Sequence, residues 1–104
     1  YKRYNREKMK PSNALKENRE LIRQIVSAHR ASSPRVFGSV LHDRDREGSD
    51  LDLLVEPTSE TTLFDIGAIR SELTQALKVS VDVLTPNALP DSFRESVLAE
   101  ALPV

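Results

Sequence analysis

Apolar residues recur along this chain with two different periods, and the change of period predicts where helices and strands lie. Apolar positions three and four residues apart predict helices over residues 12–29, 61–77 and 93–100. A threonine at the start of the second helix is a suitable cap. We expect that helix to bury one face, made of Leu63, Ile66, Ile69, Leu73, Ala76 and Leu77.

Short apolar runs between these helices predict three strands, over residues 35–37, 50–55 and 80–85. Residues 31–34 form a predicted turn, because the proline at its end favours an extended entry into the first strand. The last four residues, 101–104, are apolar and carry no charged side chain. They could cover the sheet or contact a partner.

Two aspartates one residue apart open the second predicted strand. Alternate residues of a strand share a face, so Asp50 and Asp52 should project together, with Leu54 beyond them. Neighbouring carboxylates repel each other and lose hydration as a sheet packs. A divalent cation removes that conflict, and oxygen ligands suit Mg²⁺. Asp-x-Asp is common by chance, so the pair alone is only a weak indication of a metal site.

A Gly-Ser pair ends the first predicted strand. Gly38 lets the backbone come close to an anion, and residues 39–42 should form one or two helical turns whose N–H groups attract phosphate. An exposed, charged loop over residues 43–48 then leads to the second strand. Gly-Ser is usually only a turn. Combined with metal-binding carboxylates, however, a phosphate-holding turn is typical of phosphoryl or nucleotidyl transfer.

The order of a strand, Gly-Ser, a short loop, Ser-Asp-x-Asp and a second strand resembles the minimal nucleotidyltransferases, small members of the DNA polymerase β superfamily. That family carries a third acidic residue on a later strand. Its match here is Asp82, although a lone aspartate in a strand more often faces solvent. The resemblance covers residues 36–104. It implies an α+β fold, in which a small mixed β-sheet carries helices packed mainly on one face.

The resemblance also implies a site and its ligands. Two Mg²⁺ ions and ATP would bind there, and one ion with the third aspartate would activate an acceptor hydroxyl. The resemblance assigns six site residues: for catalysis and metal binding Asp50, Asp52 and Asp82, and for nucleotide binding Gly38, Ser39 and Ser49.

Members of this size resemble antitoxins encoded beside a HEPN ribonuclease toxin. The resemblance therefore implies an antitoxin that transfers AMP from ATP to a tyrosine of that toxin. The family often has Arg-Gly where this chain has His42 and Asp43, and a carboxylate there would repel the triphosphate. Two alternatives stay open: an antitoxin that only binds its toxin, and a nucleotide or metal sensor without transfer activity.

Charge and composition exclude several other classes. Residues 1–10 carry five basic residues and one acidic residue, whereas the remainder carries ten basic and fifteen acidic residues. The acidic body argues against direct nucleic-acid binding. The chain has no cysteine, and no apolar run approaches the length of a membrane helix, so we expect a cytoplasmic protein without disulfides.

With 104 residues, the chain should form a single nucleotidyltransferase domain over residues 12–104. Residues 1–11 are expected to be a flexible tail. The only methionine is Met9, so native translation is expected to begin there, with residues 1–8 an added segment or an upstream remnant.

Overall fold

The computed structural model describes residues 9–104, which fold into a mixed β-sheet with four α-helices. Its elements follow in the order α1 (Pro11–Glu17), α2 (Arg19–Ala28), β1 (Ala31–Phe37), β2 (Leu51–Pro57), α3 (Leu63–Leu77), β3 (Val81–Leu84), a 3₁₀ turn (Pro86–Ala88), α4 (Arg94–Glu100) and β4 (Leu102–Pro103). No helix in this part of the chain combines the length and apolar character needed to cross a membrane.

The four strands lie in the order β3-β2-β1-β4. β1 runs antiparallel to both of its neighbours, whereas β2 and β3 are parallel. Parallel strands need a long crossover connection, and α3 supplies it between β2 and β3. This arrangement confirms the predicted α+β fold and its mixed sheet.

The core lies between the sheet and the two longest helices, α2 and α3, which also contact each other. Alternate residues of β2 face these helices, as predicted. The side chains buried in this layer include Leu51, Leu53 and Val55 of β2, Val81 and Val83 of β3, Ile22 and Val26 of α2, and Ile69 and Leu73 of α3. On the other face of β2, Leu54 is also fully buried, and β2 contacts the 3₁₀ turn.

A capping box starts α3 where the sequence predicts it. The backbone N–H of Asp65 donates to Thr62 Oγ1 at 3.3 Å, and the backbone N–H of Thr62 donates to Asp65 Oδ2 at 2.9 Å. The predicted apolar face is wrong in the first turn, because the side chain of Leu63 is 88% exposed. The buried residue of that turn is Asp65, which accepts a 2.8 Å hydrogen bond from Arg30 Nη1. Ala76, also expected to be buried, is exposed.

The predicted first helix is two helices. α1 and α2 are separated at Asn18, whose φ of −132° is not helical. The side-chain amide of Asn18 donates to the carbonyl oxygen of Ala14 at 2.8 Å, a local bond that competes with the helical pattern. Periodicity alone cannot show this break, because the apolar stripe continues across it.

The predicted turn over residues 31–34 is part of β1. Ala31 already pairs with Pro57 of β2, and the register shifts between Ser32 and Arg35. Ser33 lies within the shift and has a φ of +52°. A bulge therefore gives the strand the irregularity that the sequence suggests, without ending it.

The apolar C-terminal residues cover the sheet edge at β1. β4 pairs with Arg35 and Val36, and the backbone N–H of Val104 donates to the carbonyl oxygen of Pro34 at 2.9 Å. The Val104 side chain is buried. Of the two uses predicted for this segment, the structure supports the covering role.

Most of the predicted tail, residues 1–8, lies outside the described residues. Residues 9–11 belong to the folded domain, because Met9 packs against the core and Pro11 is buried at the first position of α1. The fixed φ of a proline suits that position. The domain boundary expected at residue 12 is thus a few residues too late.

Candidate functional site

Two aspartates lie side by side on neighbouring parallel strands. Asp52 of β2 is in register with Asp82 of β3, just as Leu51 is with Val81. Residues paired in register share a face, and neighbouring strands are about 4.8 Å apart. Both carboxylates therefore project from the face opposite the helices, where the sequence predicts them. Asp50 lies just before β2 and is exposed.

The carboxylate of Asp52 lies in an unfavourable electrostatic environment. Partial burial raises the pKa of Asp52 from 3.8 to about 6, and the negative charges of Asp82 and Asp50 add to this shift. Like charges that share a site make ionisation of the central group unfavourable. This end of the sheet therefore carries an excess of negative charge, which a bound cation would neutralise.

The chemistry of these donors fits Mg²⁺, which prefers hard carboxylate oxygens. Backbone register brings Asp52 and Asp82 together, but their side chains are not yet grouped around one ion. Within residues 9–104, no three His, Cys, Asp or Glu side chains are placed close enough to hold a metal. Binding a shared cation would thus require the side chains to turn towards it.

Gly38 is held directly against one of these carboxylates. Its φ is +76°, and a Cβ atom added there would lie 2.3 Å from Asp52 Oδ2. No side chain fits in that space, and the backbone conformation also favours glycine. The sequence predicts that Gly38 approaches an anion, and the anion it meets in the folded chain is the carboxylate of Asp52.

The segment after Gly38 is less regular than predicted. Residues 38–43 form hydrogen-bonded turns in place of a regular helix: His42 N–H donates to the Gly38 carbonyl at 3.2 Å, and Arg44 N–H to the Ser39 carbonyl at 2.8 Å. Asp43 stops the helical path, because its φ is +58°, a left-handed conformation unfavourable for most side chains. The half-buried Ser39 lies in the first of these turns.

Asp45 is a buried residue that sequence reasoning missed. It lies in the loop predicted to be exposed, yet it is only 5% exposed. Its Oδ2 atom accepts a 2.8 Å hydrogen bond from the backbone N–H of Ser12 in α1. Burial acts to raise the pKa of Asp45, but the hydrogen bonds from Ser12 outweigh it and hold that pKa below its usual value. The only sequence signal is indirect, since Lys10 offers α1 no side-chain cap.

Ser49 closes the same loop from its other end. Its Oγ atom accepts a 2.9 Å hydrogen bond from the backbone N–H of Arg46. This contact fixes the approach of the chain to Asp50 and β2. On the other side of the loop, His42 Nε2 lies 3.3 Å from Glu100 Oε2, at the end of α4.

Sequence comparison finds relatives over most of the chain. The family model described as "Polymerase beta, Nucleotidyltransferase" matches residues 20–103. A protein of Methanocaldococcus jannaschii named "Putative protein adenylyltransferase MJ0435" is 32% identical over 90 residues, which are 86% of this chain and 97% of that protein. A second protein of that organism, "Putative protein adenylyltransferase MJ0126", is 24% identical over 85% of this chain and 94% of its own length.

Solved structures match as well. One described as a "putative minimal nucleotidyltransferase" superposes with a TM-score of 0.79 at 39% identity, and covers 89% of this chain and 95% of its own. Another, described as a "toxin-antitoxin with AMP-PNP", has a TM-score of 0.70 at 17% identity, over 83% of this chain and 71% of its own. At that lower identity, the second match shows the fold alone.

Proposed function

The chain belongs to the polymerase β nucleotidyltransferase family, and on this premise we propose that it is an Mg²⁺-dependent adenylyltransferase that modifies a protein hydroxyl with AMP from ATP. The observation that carries the proposal is the in-register pair of Asp52 and Asp82, with Gly38 against the Asp52 carboxylate. A family fold alone does not establish chemistry. A charge conflict at the family's motif gives this chain a physical reason to bind a metal.

The three aspartates have two roles in the proposed reaction, metal binding and activation of the acceptor. Asp50 and Asp52 would hold the metal, which we expect to be a pair of Mg²⁺ ions that neutralise the triphosphate and the charge developing on it. Asp82 would bind one of these ions as well, and with it would orient the acceptor hydroxyl and take its proton. The hydroxyl oxygen then bonds to the α-phosphorus as the bond to pyrophosphate breaks. The protein contributes positioning and electrostatic stabilisation, without a covalent intermediate.

The triphosphate would bind along the turn that follows β1. Gly38 brings the backbone directly against the Asp52 carboxylate, and Ser39 supplies a hydroxyl and a backbone N–H in the next position. Ser49 would act from the far end of the loop, where its bond to Arg46 orders the approach to Asp50. The contact of Gly38 with Asp52 supports the assignment of this turn, and Ser39 and Ser49 are assigned from their places next to Gly38 and Asp50 in the chain.

The proposed acceptor is a tyrosine of a HEPN ribonuclease toxin, and the chain would act as that toxin's antitoxin. Support comes from the named toxin–antitoxin structure that contains AMP-PNP and shares this fold. A reaction that consumes ATP fits the cytoplasmic location expected from the sequence.

A second candidate is an antitoxin that binds its toxin without modifying it. The specific observation in its favour is Asp43, which combines a left-handed backbone with a negative charge in the turn that would receive the triphosphate. Repulsion of about 1 kcal/mol or more would weaken nucleotide binding.

Incubation with ATP labelled at the α-phosphate, Mg²⁺ and the product of the neighbouring gene tests both. We expect label on the partner with the wild-type chain and none with Asp50→Asn. Glu47→Gln is the matched control, because it removes an exposed carboxylate three residues away in the same loop. Binding to the partner without label transfer would favour the second candidate. If Asp50→Asn kept both binding and transfer, the assigned site would be contradicted.

A further inference from the structure

The two edges of the sheet differ. β4 covers the outer edge of β1, whereas within residues 9–104 no strand pairs with the outer edge of β3. A strand with an open edge presents unpaired backbone N–H and C=O groups to any extended segment nearby. Natural edges are often protected by proline or lysine, but β3 reads Val-Asp-Val-Leu and has neither.

The hydrogen bonds to β2 show which groups of β3 face outwards. The backbone N–H of Leu51 donates to the carbonyl oxygen of Ser80 at 2.8 Å, so the backbone of Ser80 faces β2. Backbone groups of a strand alternate in direction, and those of Asp82 therefore also face β2. The N–H and C=O groups of Val81 and Val83 must then point to the open edge, where they can bind a further strand.

The open edge is continuous with the candidate site, because Asp82 lies between those two valines. In an antiparallel strand added at this edge, the residue opposite Asp82 would be a non-hydrogen-bonded partner. Its Cβ would lie about 4.5–5.5 Å from that of Asp82, on the same face of the sheet. That face carries the carboxylates of Asp82 and Asp52 in adjacent strands.

We propose that the acceptor binds as an extended polypeptide segment added to the outer edge of β3, with its hydroxyl side chain opposite Asp82. This inference rests on the proposed function for its reaction but not for its binding geometry. The acceptor oxygen loses its proton to Asp82 and bonds to the α-phosphorus of ATP, and pyrophosphate leaves. Sequence-independent backbone bonds hold the segment, and the position opposite Asp82 selects the hydroxyl.

Charge complementarity fits such a segment better than a second copy of this chain. The edge lies beside Asp82, whose negative charge, after burial and together with the charge of Asp50, raises the pKa of Asp52. Pairing β3 with the β3 of another copy would bring a second Asp82 close to the first, and like charges opposite each other destabilise a strand pair. A neutral or basic segment avoids that repulsion.

A proline substitution separates the open edge from the rest of the sheet. Val83→Pro removes an outward N–H and leaves the bonds between β2 and Asp82 in place. Edge strands tolerate proline at a position such as this one, where the N–H faces away from the neighbouring strand. The residue before a proline favours extended backbone, which Asp82 already has. Both Val83→Pro and Val83→Ala lose the packing of a buried side chain, so alanine is the reference for proline.

The probe is a nine-residue peptide, Lys-Thr-Val-Thr-Tyr-Thr-Val-Thr-Lys, and the same peptide with phenylalanine for tyrosine. We expect both to bind at millimolar concentration and to slow amide exchange at Val81 and Val83, measured by NMR, more than at Asp82. Val83→Pro should bind them roughly tenfold more weakly than Val83→Ala, because proline removes the N–H of residue 83 and disturbs the adjacent hydrogen bond to the peptide. Binding of the nucleotide analogue AMP-PNP with Mg²⁺ should be equal in the two variants.

Three results would overturn the proposal: no binding of either peptide, equal binding by the proline and alanine variants, or a wild-type dimer that only Val83→Pro dissociates. The last would assign the edge to a second copy. Transfer of AMP to the tyrosine peptide alone is read separately. If both peptides protect the edge but no transfer occurs with any acceptor, the proposed function fails while the binding geometry holds.

Discussion

The two faces of the β2–β3 pair have the same backbone register, but their side chains have opposite effects on stability. On the helix side, register brings Leu53 beside Val83, and both are buried under α2 and α3. On the other side, the same register brings Asp52 beside Asp82. One face removes apolar surface from water, while the other concentrates negative charge. Stability is thus specified on one face and opposed on the other.

The difference indicates which face of the sheet carries a functional site. A packed face needs no further partner, since burial of apolar side chains is favourable in itself. A face that raises the pKa of Asp52 to about 6 is stable only because the remainder of the domain supports it. Such local costs are typical of functional sites.

The largest effect should come from the helix side. Leu53→Ala removes a fully buried side chain from the centre of the core and should lower the free energy of unfolding by about 2–5 kcal/mol. Leu84→Ala is the comparison on the carboxylate face, where Leu84 is only half-buried. Urea denaturation of both variants measures the difference. Equal losses would mean that the two faces contribute alike and would break the contrast.

A smaller effect of opposite sign is expected from Asp52→Asn. The pKa of Asp52 is raised in the folded chain, so the folded state holds the proton more tightly than the unfolded state does. Wild-type stability should therefore be favoured below pH 3.8 and decrease as the pH rises to about 6. Above that range, Asp52→Asn should be more stable than wild type by about 1–3 kcal/mol, allowing for solvent screening.

Denaturation of both proteins at pH 4, 5, 6 and 7.5 without divalent cations checks this. The difference in stability should grow across that range and then level off. Added Mg²⁺ should stabilise the wild type more than the variant, because only the wild type keeps the full carboxylate set. If Asp52→Asn gained no stability over wild type between pH 4 and pH 7.5, or lost some, the ionised Asp52 carboxylate would not be destabilising.

Asp43 offers a test of intermediate size beside the same face. Asp43→Gly should relieve a left-handed backbone and stabilise the chain by up to about 1 kcal/mol. Loss of the carboxylate should also tighten binding of ATP with Mg²⁺ by roughly tenfold. Calorimetry on Asp43→Gly and Asp43→Asn separates backbone from charge, since asparagine changes only the charge. Weaker ATP binding in Asp43→Gly would make Asp43 a working part of the site.

The smallest effect should be at the exposed end of α3. Leu63→Ser should change the free energy of unfolding by less than about 0.5 kcal/mol, because the leucine side chain is 88% exposed. Ile69→Ala, two turns further along the same helix, removes a fully buried side chain and should cost several times more. Thermal unfolding of the pair checks which part of α3 forms the packed face. A large loss of stability in Leu63→Ser would instead support the prediction that Leu63 is part of the buried face.

Features encoded within a few residues could be predicted from the sequence. Thr62 and Asp65 are three residues apart, and their capping box starts α3 at the predicted place. Alternation within each strand is equally local, so the shared face of Asp52 and Asp82 followed from the two strand patterns together with the family resemblance. Gly38 fits this rule as well, because its positive φ depends on the conformational freedom of glycine itself.

Features that depend on distant partners could not. Asp45 looks like any residue of a charged loop until α1 lies beside it, and the bond to Ser12 joins residues 33 apart in sequence. Leu63 fits the apolar stripe of α3, but its side chain is 88% exposed, because whether a stripe position is covered depends on the elements packed against the helix. The bulge at Ser33 likewise requires β2 as a partner.

The bond between Asp45 and Ser12 also couples the loop between β1 and β2 to α1. Closing a long loop has an entropic cost that only other contacts can offset. Part of the free energy that offsets this cost for the segment between β1 and β2 therefore comes from α1. Unfolding of α1 would remove that contribution and loosen the turn that is proposed to bind the triphosphate.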